Sequence, residues 1–190
     1  MSKGVEHDGV RWNNADLDRV QLRPYDPRWP AQFEREATAI RRELEKDFTF
    51  VLEHVGSTAI PGLEAKPIVD ILLAVPDAGR WPELIAPLER LGYAYWAGNP
   101  DTDRMFFVKG MPPFGAGRTH HVHVVTPGAI RDFVRFRDHL VGHPEDAKHY
   151  AALKRKLAAQ FADDRDSYTA GKAAFVRMVL ARAADAPGAG

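Results

Sequence analysis

The segment HVGSTAIPGLEAKPIVDILLAV, residues 54–75, decides the fold prediction for this chain. A polar Gly-Ser-Thr turn, residues 56–58, leads through a Pro-Gly loop to Lys66 and then to residues 68–75, which are apolar apart from Asp70. Such a short and almost continuously apolar run predicts a strand in the interior of a sheet. A carboxylate inside a buried strand is costly unless it is paired or binds a cation, so Asp70 requires an explanation.

The composition limits the classes of protein to which the chain can belong. Its 190 residues are 45% hydrophobic and 27% charged, which suits one globular domain with a sizeable core. Lys plus Arg and Asp plus Glu both total 26, so the charge gives no support for general nucleic-acid binding. The absence of cysteine excludes disulfides, thiolate metal sites and a cysteine nucleophile. No apolar run could cross a membrane and no signal-peptide pattern is present, so we expect a soluble cytoplasmic protein.

Apolar periodicity on both sides of the opening segment predicts short strands and amphipathic helices. Further strands are predicted at TFVLEHV, YAYW, RMFFVKG and HHVHVV. Helices are predicted along the apolar positions from Phe33 to Leu44 and from Trp81 to Leu91, and at roughly 129–141, 144–161 and 167–184. This order predicts one α+β domain, residues 18–184, with a mixed sheet, flanking helices and a helical C-terminal part, residues 129–184. Residues 1–17 and 185–190 have polar or linker-like composition and are predicted to be disordered.

The turn and the strand aspartate together resemble a known signature. Gly56-Ser57 followed after twelve residues by Asp70 on an apolar strand is similar to the motif of the polymerase-beta-like nucleotidyltransferases. In that superfamily the turn holds nucleotide phosphates and strand aspartates hold divalent cations. The chemistry is reasonable, because a tight turn offers N–H groups and a hydroxyl to phosphate and carboxylates bind Mg²⁺. The resemblance implies a nucleotidyltransferase-like fold, with Gly56, Ser57 and Thr58 as phosphate ligands and Asp70 as the catalytic metal ligand.

Three longer segments extend the resemblance to one family. HVGSTAIPGLEAKPIVDI, FRDHLVGHPEDAKHYAALKRKLA and DSYTAGKAAFV are similar to the GrpB family, which is nucleotidyltransferase-like, over roughly residues 20–183. The family resemblance implies the same fold but brings no specific reaction with it. One position departs from the superfamily signature, because Leu72 stands where a second carboxylate is expected on the same strand face. Without that bridging ligand, two-metal nucleotidyl transfer is put in doubt.

The strand HHVHVV offers two histidines on one face. His121 and His123 point to one side and His120 to the other, because side chains alternate along a strand. If this strand neighbours that of Asp70, the three side chains form a two-histidine, one-carboxylate set for Mg²⁺, Mn²⁺ or Zn²⁺, and imidazole favours the last two. Two alternatives stay open: the imidazoles bind a phosphate or a carboxylate without metal, and Asp70 is the buried partner in a structural ion pair.

Three cations are further candidate phosphate ligands. Lys66 precedes a proline, which favours extended backbone at the start of the Asp70 strand, where it pairs with a phosphate or with a nearby carboxylate. Arg104 and Lys109 flank the apolar residues MFFV, and we take Arg104 as the candidate. Lys172 lies four residues after Tyr168, so the two share one helix face and either close over a nucleotide or cap the helices.

These patterns predict an enzyme that acts on a nucleotide or a phosphorylated small molecule. The leading interpretation is divalent-metal-dependent transfer of a nucleoside monophosphate onto a small molecule. Ser57 would hold phosphate, Asp70 the metal, and Lys66 would neutralise charge. The alternatives are a module that binds a nucleotide or phosphometabolite without catalysis, which Leu72 favours, and a metal-dependent hydrolase built on the carboxylate and the two histidines.

Overall fold

A computed structural model describes residues 6–7, 10–11, 19–99, 101–111 and 117–185, with the backbone alone described for the first two pairs. The strands are β1 Glu6–His7, β2 Val10–Arg11, β3 Val51–Val55, β4 Val69–Ala74, β5 Tyr93–Tyr95, β6 Met105–Lys109 and β7 His120–Val125. The α-helices are α1 Trp29–Leu44, α2 Ile85–Arg90, α3 Ile130–Gly142, α4 Pro144–Gln160, α5 Arg165–Ala170 and α6 Ala173–Asp185. Short 3-10 helices span Ser57–Ala59, Ala78–Leu84 and Pro127–Ala129.

Five strands form one mixed sheet in the order β3-β4-β7-β6-β5. β4 and β7 are parallel, and the other neighbours are antiparallel. β1 and β2 pair separately as a two-stranded antiparallel sheet. The predicted mixed sheet with flanking helices is therefore confirmed, and the strand that carries Asp70 lies inside the sheet between β3 and β7.

One face of the sheet forms the main hydrophobic core against α1. Alternate residues of the central strands point to this face, among them Ile71, Leu73 and Val124, and each is fully buried. The helix presents the apolar stripe that the sequence predicts, which includes Phe33 and Ile40. Full burial of a large aliphatic side chain stabilises a fold by roughly 1.5–3 kcal/mol, so this face alone provides a substantial driving force.

The opposite face of the sheet is partly covered by the C-terminal helices. Leu140 of α3, Tyr150 of α4 and Val179 of α6 pack on Ile60 and Leu63 in the loop between β3 and β4. The helical part is thus anchored on the Pro-Gly loop and leaves a cleft over the carboxyl-bearing half of β4. Among the described residues, none of the helices combines the length and the apolar character that crossing a membrane requires.

The predicted helix over 167–184 is two helices, and this part of the prediction is wrong. α5 ends at Gly171, where an added Cβ would lie 2.5 Å from Leu157 Cδ2 and would force that side chain to move. Tyr168 of α5 packs with Leu157, whereas Val179 of α6 packs against α3 and α4. Two short helices therefore bury two different faces that one straight helix could not.

Two other predictions differ from the structure or lie partly outside it. Residues 81–91 do not form one α-helix: a 3-10 segment that contains Pro82 precedes α2. A proline lacks the N–H that an α-helical interior needs, which explains the change of helix type. The predicted disordered tails fall mostly outside the described residues, apart from the backbone of β1 and β2 and of Asp185.

Candidate functional site

The parallel pairing of β4 with β7 brings the strand aspartate beside the two histidines. Asp70 lies opposite His121 in the register, and Leu72 lies opposite His123. Directly opposed residues share a face of the sheet, so the carboxylate and both imidazoles point into the cleft. Phe106 of β6 is opposite His123 and contacts both imidazole rings, with ring centroids 4.9 Å apart in each case.

The spacing of these three side chains fits a single metal ion. Asp70 Oδ1 lies 3.0 Å from His121 Nδ1 and 3.6 Å from His123 Nε2, and the three candidate ligand atoms all lie within 4.8 Å of one another. Ligand atoms bound at about 2.1 Å from one ion are separated by about 3.0–3.5 Å. The donor set of two imidazoles and one carboxylate, with room on the cleft side, suits a transition metal better than Mg²⁺.

Hydrogen bonds fix the charge of this cluster. Burial lowers the pKa of His121 to about 3, so the imidazole is neutral and its Nδ1–H donates to Asp70. Burial alone would raise the pKa of Asp70, but the hydrogen bonds from His121 and His123 hold it well below its usual value. Asp70 is therefore a carboxylate that accepts a hydrogen bond from the neutral imidazole of His121.

Arg104 affects how His123 can bind a cation. Its Nη1 lies 3.4 Å from His123 Nδ1, and its Nε forms a 2.9 Å ion pair with Asp101. An imidazole that accepts from a guanidinium at Nδ1 carries its proton on Nε2, which is the atom that faces Asp70. For His123 Nε2 to bind a metal, its proton must move to Nδ1. The Arg104 guanidinium must then give up its hydrogen bond to Nδ1.

The Gly56 backbone makes the close approach of the turn to Asp70 possible. Its φ of 72° and ψ of −171° lie in a region that is essentially restricted to glycine. A Cβ at this position would overlap Asp70 Oδ2 and lie 3.1 Å from Asp70 Cγ. The Gly56-Ser57 turn and the carboxylate therefore form one compact unit at the floor of the cleft.

Substitution of Gly56 by alanine should damage both stability and ligand binding. We expect Gly56→Ala to lose about 1–3 kcal/mol of stability from the backbone conformation alone and to displace Asp70 in addition. Gly62→Ala is the matched control, because Gly62 also has a positive φ, 77°, but its Cβ would meet nothing within 4 Å. Denaturant midpoints and Mn²⁺ titrations of both variants measure the difference, and equal behaviour would contradict a role for the Asp70 contact.

The two hydroxyls of the turn have different partners. Thr58 is buried and its Oγ1 lies 3.0 Å from His54 Nε2, so its hydroxyl is engaged with the sheet. Burial lowers the pKa of His54 to about 4, so this partner is a neutral imidazole. Ser57 Oγ instead accepts from Lys154 Nζ at 3.1 Å, and the same amine donates to the carbonyl oxygen of Glu64. The buried amine of Lys154 therefore orients the hydroxyl of Ser57, and not that of Thr58.

Positive side chains form an arc at one end of the cleft, which we call the cationic arc: Lys66, Arg118, Arg165 and Lys172. Lys66 and Lys172 place their Nζ atoms 5.2 and 4.6 Å from the centroid of the Tyr168 ring. Burial lowers the pKa of Lys66 well below its usual value, and the charges of Arg165 and Lys172 lower it further. Burial also lowers the pKa of Lys172. A multivalent anion bound here would relieve this mutual repulsion.

The cleft has a volume of about 590 Å³, within the usual range for small-molecule sites. Every site residue that the sequence suggested lines it: Gly56, Ser57, Thr58, Lys66, Asp70, Arg104, His121, His123 and Lys172. Lys109 does not line the cleft, because it bonds Glu36 at 2.5 Å on the other side of the sheet. Five cationic side chains line the cleft, namely Arg104 and the four members of the cationic arc. They outnumber the three carboxylates Asp70, Asp101 and Asp166.

Sequence reasoning missed several residues of the cleft. Arg118 lies two residues before the histidine strand, so its position could have been inferred from the strand prediction. Arg165 and Lys154 come from the C-terminal helices, and Trp96 and Phe133 form part of the opposite wall. No local pattern indicates these four, because only the packing of the helices on the sheet brings them to the cleft.

Leu72 has an apolar environment on the cleft face of the sheet. It is fully buried in a cluster with Val55, Ala74 and Val125, against which Ile130 and Phe133 pack. The position that carries a second carboxylate in the superfamily signature is therefore closed to solvent and to metal, and His121 and His123 provide the other candidate ligands near Asp70.

The fold of this chain is nucleotidyltransferase-like. Terminal uridylyl transferase 4 from Trypanosoma brucei, solved with bound UTP, superposes with a TM-score of 0.50 at 16% identity and covers 83% of this chain and 50% of its own, a likeness in fold alone. The GrpB protein family model matches residues 19–182, so the chain belongs to the GrpB family.

Two relatives agree with this assignment. The crystal structure of GrpB from Enterococcus faecalis has a TM-score of 0.75 and 35% identity and covers 86% of this chain and 96% of its own. The UPF0157 protein PA4798 of Pseudomonas aeruginosa is 54% identical over 176 residues, which is 93% of this chain and 72% of that protein. The resemblance found in the sequence is thereby confirmed for family and fold.

Proposed function

We propose that this chain binds a nucleotide in the cleft and transfers its nucleoside monophosphate to the hydroxyl of a small molecule. Asp70, His121 and His123 would hold one divalent transition-metal ion. The observation that carries the proposal is that one cleft contains both a metal-compatible set of three ligands and the cationic arc. Their proximity suits a ligand whose phosphates meet the metal at one point and the arc at another.

The chain's own groups have distinct parts in this reaction. The phosphate tail lies along Ser57 and the cationic arc, with the α-phosphate nearest Asp70. The acceptor oxygen bonds to the α-phosphorus, the bond from that phosphorus to its bridging oxygen breaks, and pyrophosphate leaves with the electron pair. Lys66 and Lys172 stabilise the charge that grows on pyrophosphate, and the acceptor proton passes to water. A bound divalent cation supplies Lewis-acid polarisation of the phosphoryl oxygen.

Asp70→Asn tests the metal site. We expect Mn²⁺ or Zn²⁺ affinity to fall at least tenfold, because a neutral amide replaces the single carboxylate ligand. The fold should weaken by only about 1–2 kcal/mol, since charge-assisted hydrogen bonds become neutral ones. Isothermal titration of metal-free protein and denaturant unfolding measure the two effects.

The control variant is His120→Gln, which lies on the same strand but on the opposite face. Its Nδ1 contacts Thr119 Oγ1, away from Asp70, so metal affinity should stay at the wild-type value. Equal metal affinities in wild type and Asp70→Asn would contradict the proposed site. A stability loss of about 3–5 kcal/mol with metal binding intact would instead assign Asp70 to a structural pair.

A module that binds a nucleotide or phosphometabolite without catalysis is the second candidate. The burial of Leu72 among apolar side chains favours it, because a two-metal centre has no second strand carboxylate here. Incubation of metal-loaded protein with α-labelled ATP and a mixture of small hydroxyl compounds separates the functions. A transferase releases pyrophosphate and labels an acceptor, a hydrolase releases labelled nucleoside monophosphate, and a binding module leaves ATP unchanged.

A further inference from the structure

The cleft has two chemically different ends. The cationic arc lies at one end, beyond the Gly56-Ser57 turn, and aromatic side chains line the other. Asp70 and the two histidines lie between them, because Phe106 contacts both imidazole rings on the aromatic side. A ligand that fills this cleft therefore needs an anionic part and an apolar, flat part.

Four rings form a continuous wall at the second end, which we call the aromatic wall: Trp96, Phe106, His123 and Phe133. Trp96 contacts Phe106 with ring centroids 5.7 Å apart, and Phe133 contacts His123 at 6.2 Å. The backbone N–H of Trp96 donates to Phe106 O at 2.9 Å, so the main chain that carries the indole is anchored at the end of β5. Trp96 and Phe133 are only partly buried and both line the cleft, so they retain surface for a ligand.

Tyr168, the other aromatic ring near the cations, is less suited to stacking a base. It is 1% exposed, and the ammonium groups of Lys66 and Lys172 both lie near its ring. Burial raises the pKa of its hydroxyl to about 12, so the ring stays neutral. A planar ligand group would have to displace these cations from the end where the phosphates are proposed to bind.

We propose that the aromatic wall is the binding site for the base of the nucleotide, with Trp96 as its main stacking partner. This inference rests on the proposed function, in which the phosphates occupy the cationic arc. A cleft of about 590 Å³ accommodates a ligand of nucleotide size, which joins the two ends through its ribose. The ligand class is a nucleoside triphosphate.

The polar groups beside the aromatic wall are already used, so stacking dominates over recognition of a particular base. Asn99 Oδ1 accepts from the backbone N–H of Asp101, and the Asp101 carboxylate accepts from the N–H of Asp103 and pairs with Arg104. Stacking on an aromatic ring tolerates all bases, because each has a π face. We expect purine nucleotides to bind more tightly than pyrimidine nucleotides through their larger ring area, without strict selection.

The test compares ATP, tripolyphosphate and adenosine on wild type, Trp96→Ala and Trp96→Phe, without divalent metal so that no turnover occurs. Wild type should bind ATP at least tenfold more tightly than tripolyphosphate. Trp96→Ala should lose most of that difference and keep its tripolyphosphate affinity, whereas Trp96→Phe should retain most of it. ATP should also change the tryptophan emission of wild type, and this change should disappear in Trp96→Phe.

The three ligands separate failure of this inference from failure of the proposed function. Equal affinity of wild type for ATP and tripolyphosphate would overturn the base site, as would equal losses for both ligands in Trp96→Ala. Absence of binding by both ATP and adenosine would also overturn it. If tripolyphosphate does not bind but adenosine binds and alters Trp96 emission, the base site stands and the phosphate role of the arc is wrong.

Discussion

Leu72→Asp will strongly destabilise the protein and will not provide a second metal ligand. Leu72 is 0% exposed and its neighbours on the cleft face are Val55, Ala74, Val125 and Phe133. A carboxylate there has no cation or donor among these apolar side chains, and His123, which lies opposite Leu72 in the register, is already engaged with Arg104 and Asp70. Burial of an unpaired charge is among the few single changes that cost more than about 4 kcal/mol. Denaturant unfolding and Mg²⁺ titration of any folded fraction measure both parts of the prediction.

Leu72→Asn is the matched control, because it has the same shape and stays neutral. Burial raises the pKa of the introduced carboxyl in the folded state, whereas in the unfolded chain it ionises at about 3.9. The unfolded chain then binds fewer protons than the folded one as pH rises above that value, so Leu72→Asp loses stability with pH relative to Leu72→Asn. A Leu72→Asp protein that folds normally and gains Mg²⁺ affinity would contradict this prediction and restore the two-metal hypothesis.

The sheet was predictable because its signals are local. The stripe of α1 repeats at helical spacing, β4 is a short and mostly apolar run, and β7 alternates histidine with valine from His121 to Val124. Strand order was not predictable from such patterns, since the pairing of Asp70 with His121 joins residues 51 positions apart. The shared face of His121 and His123 followed from strand alternation alone, but their distance from Asp70 depended on the parallel pairing.

The helical side of the cleft was harder to predict. The apolar spacing of residues 167–184 indicates one helix, but the helix is interrupted at Gly171. This glycine lies in close contact with Leu157 of another helix. Lys154 lies off the apolar stripe of α4, and a lysine in such a position is normally exposed to solvent. Its side chain is nevertheless buried, with 1% exposure. Lys154 is buried where α4 packs on the turn that carries Ser57, and Gly171 lies where α5 packs on α4, so no periodicity in the sequence encodes either contact.

Lys154 is a buried cation that stabilises the turn at a cost in overall stability. Its amine donates to Ser57 Oγ and to Glu64 O and lies 5.0 Å from the centroid of the Tyr150 ring. Burial and, to a smaller extent, the charge of Lys172 lower the pKa of Lys154 to about 7. The fold disfavours this ammonium, yet places it on the hydroxyl that we propose binds phosphate. Such an arrangement is expected where function and stability conflict.

Lys154→Met should therefore make the protein more stable at pH 6 and weaken phosphate binding. At that pH both folded and unfolded wild type carry the proton, so the full penalty of the buried charge is present. Removal of the buried charge stabilises the folded protein, and the loss of two hydrogen bonds offsets part of this effect. The net gain in the free energy of unfolding is on the order of 2 kcal/mol. Tripolyphosphate affinity should fall about tenfold, because Ser57 loses the donor that orients it.

The gain in stability should disappear as pH rises. Between about 7 and the ordinary lysine value of 10.5, unfolded wild type holds a proton that the folded protein lacks, so wild-type stability increases with pH while Lys154→Met has no such dependence. Lys156→Met is the control, because Lys156 is exposed on the same helix and should change stability by no more than about 0.5 kcal/mol at any pH. Denaturant midpoints from pH 6 to 10 for the three proteins decide the question. If Lys154→Met loses stability by the same amount at every pH, its amine is an ordinary structural group and is not a strained cation held for the ligand.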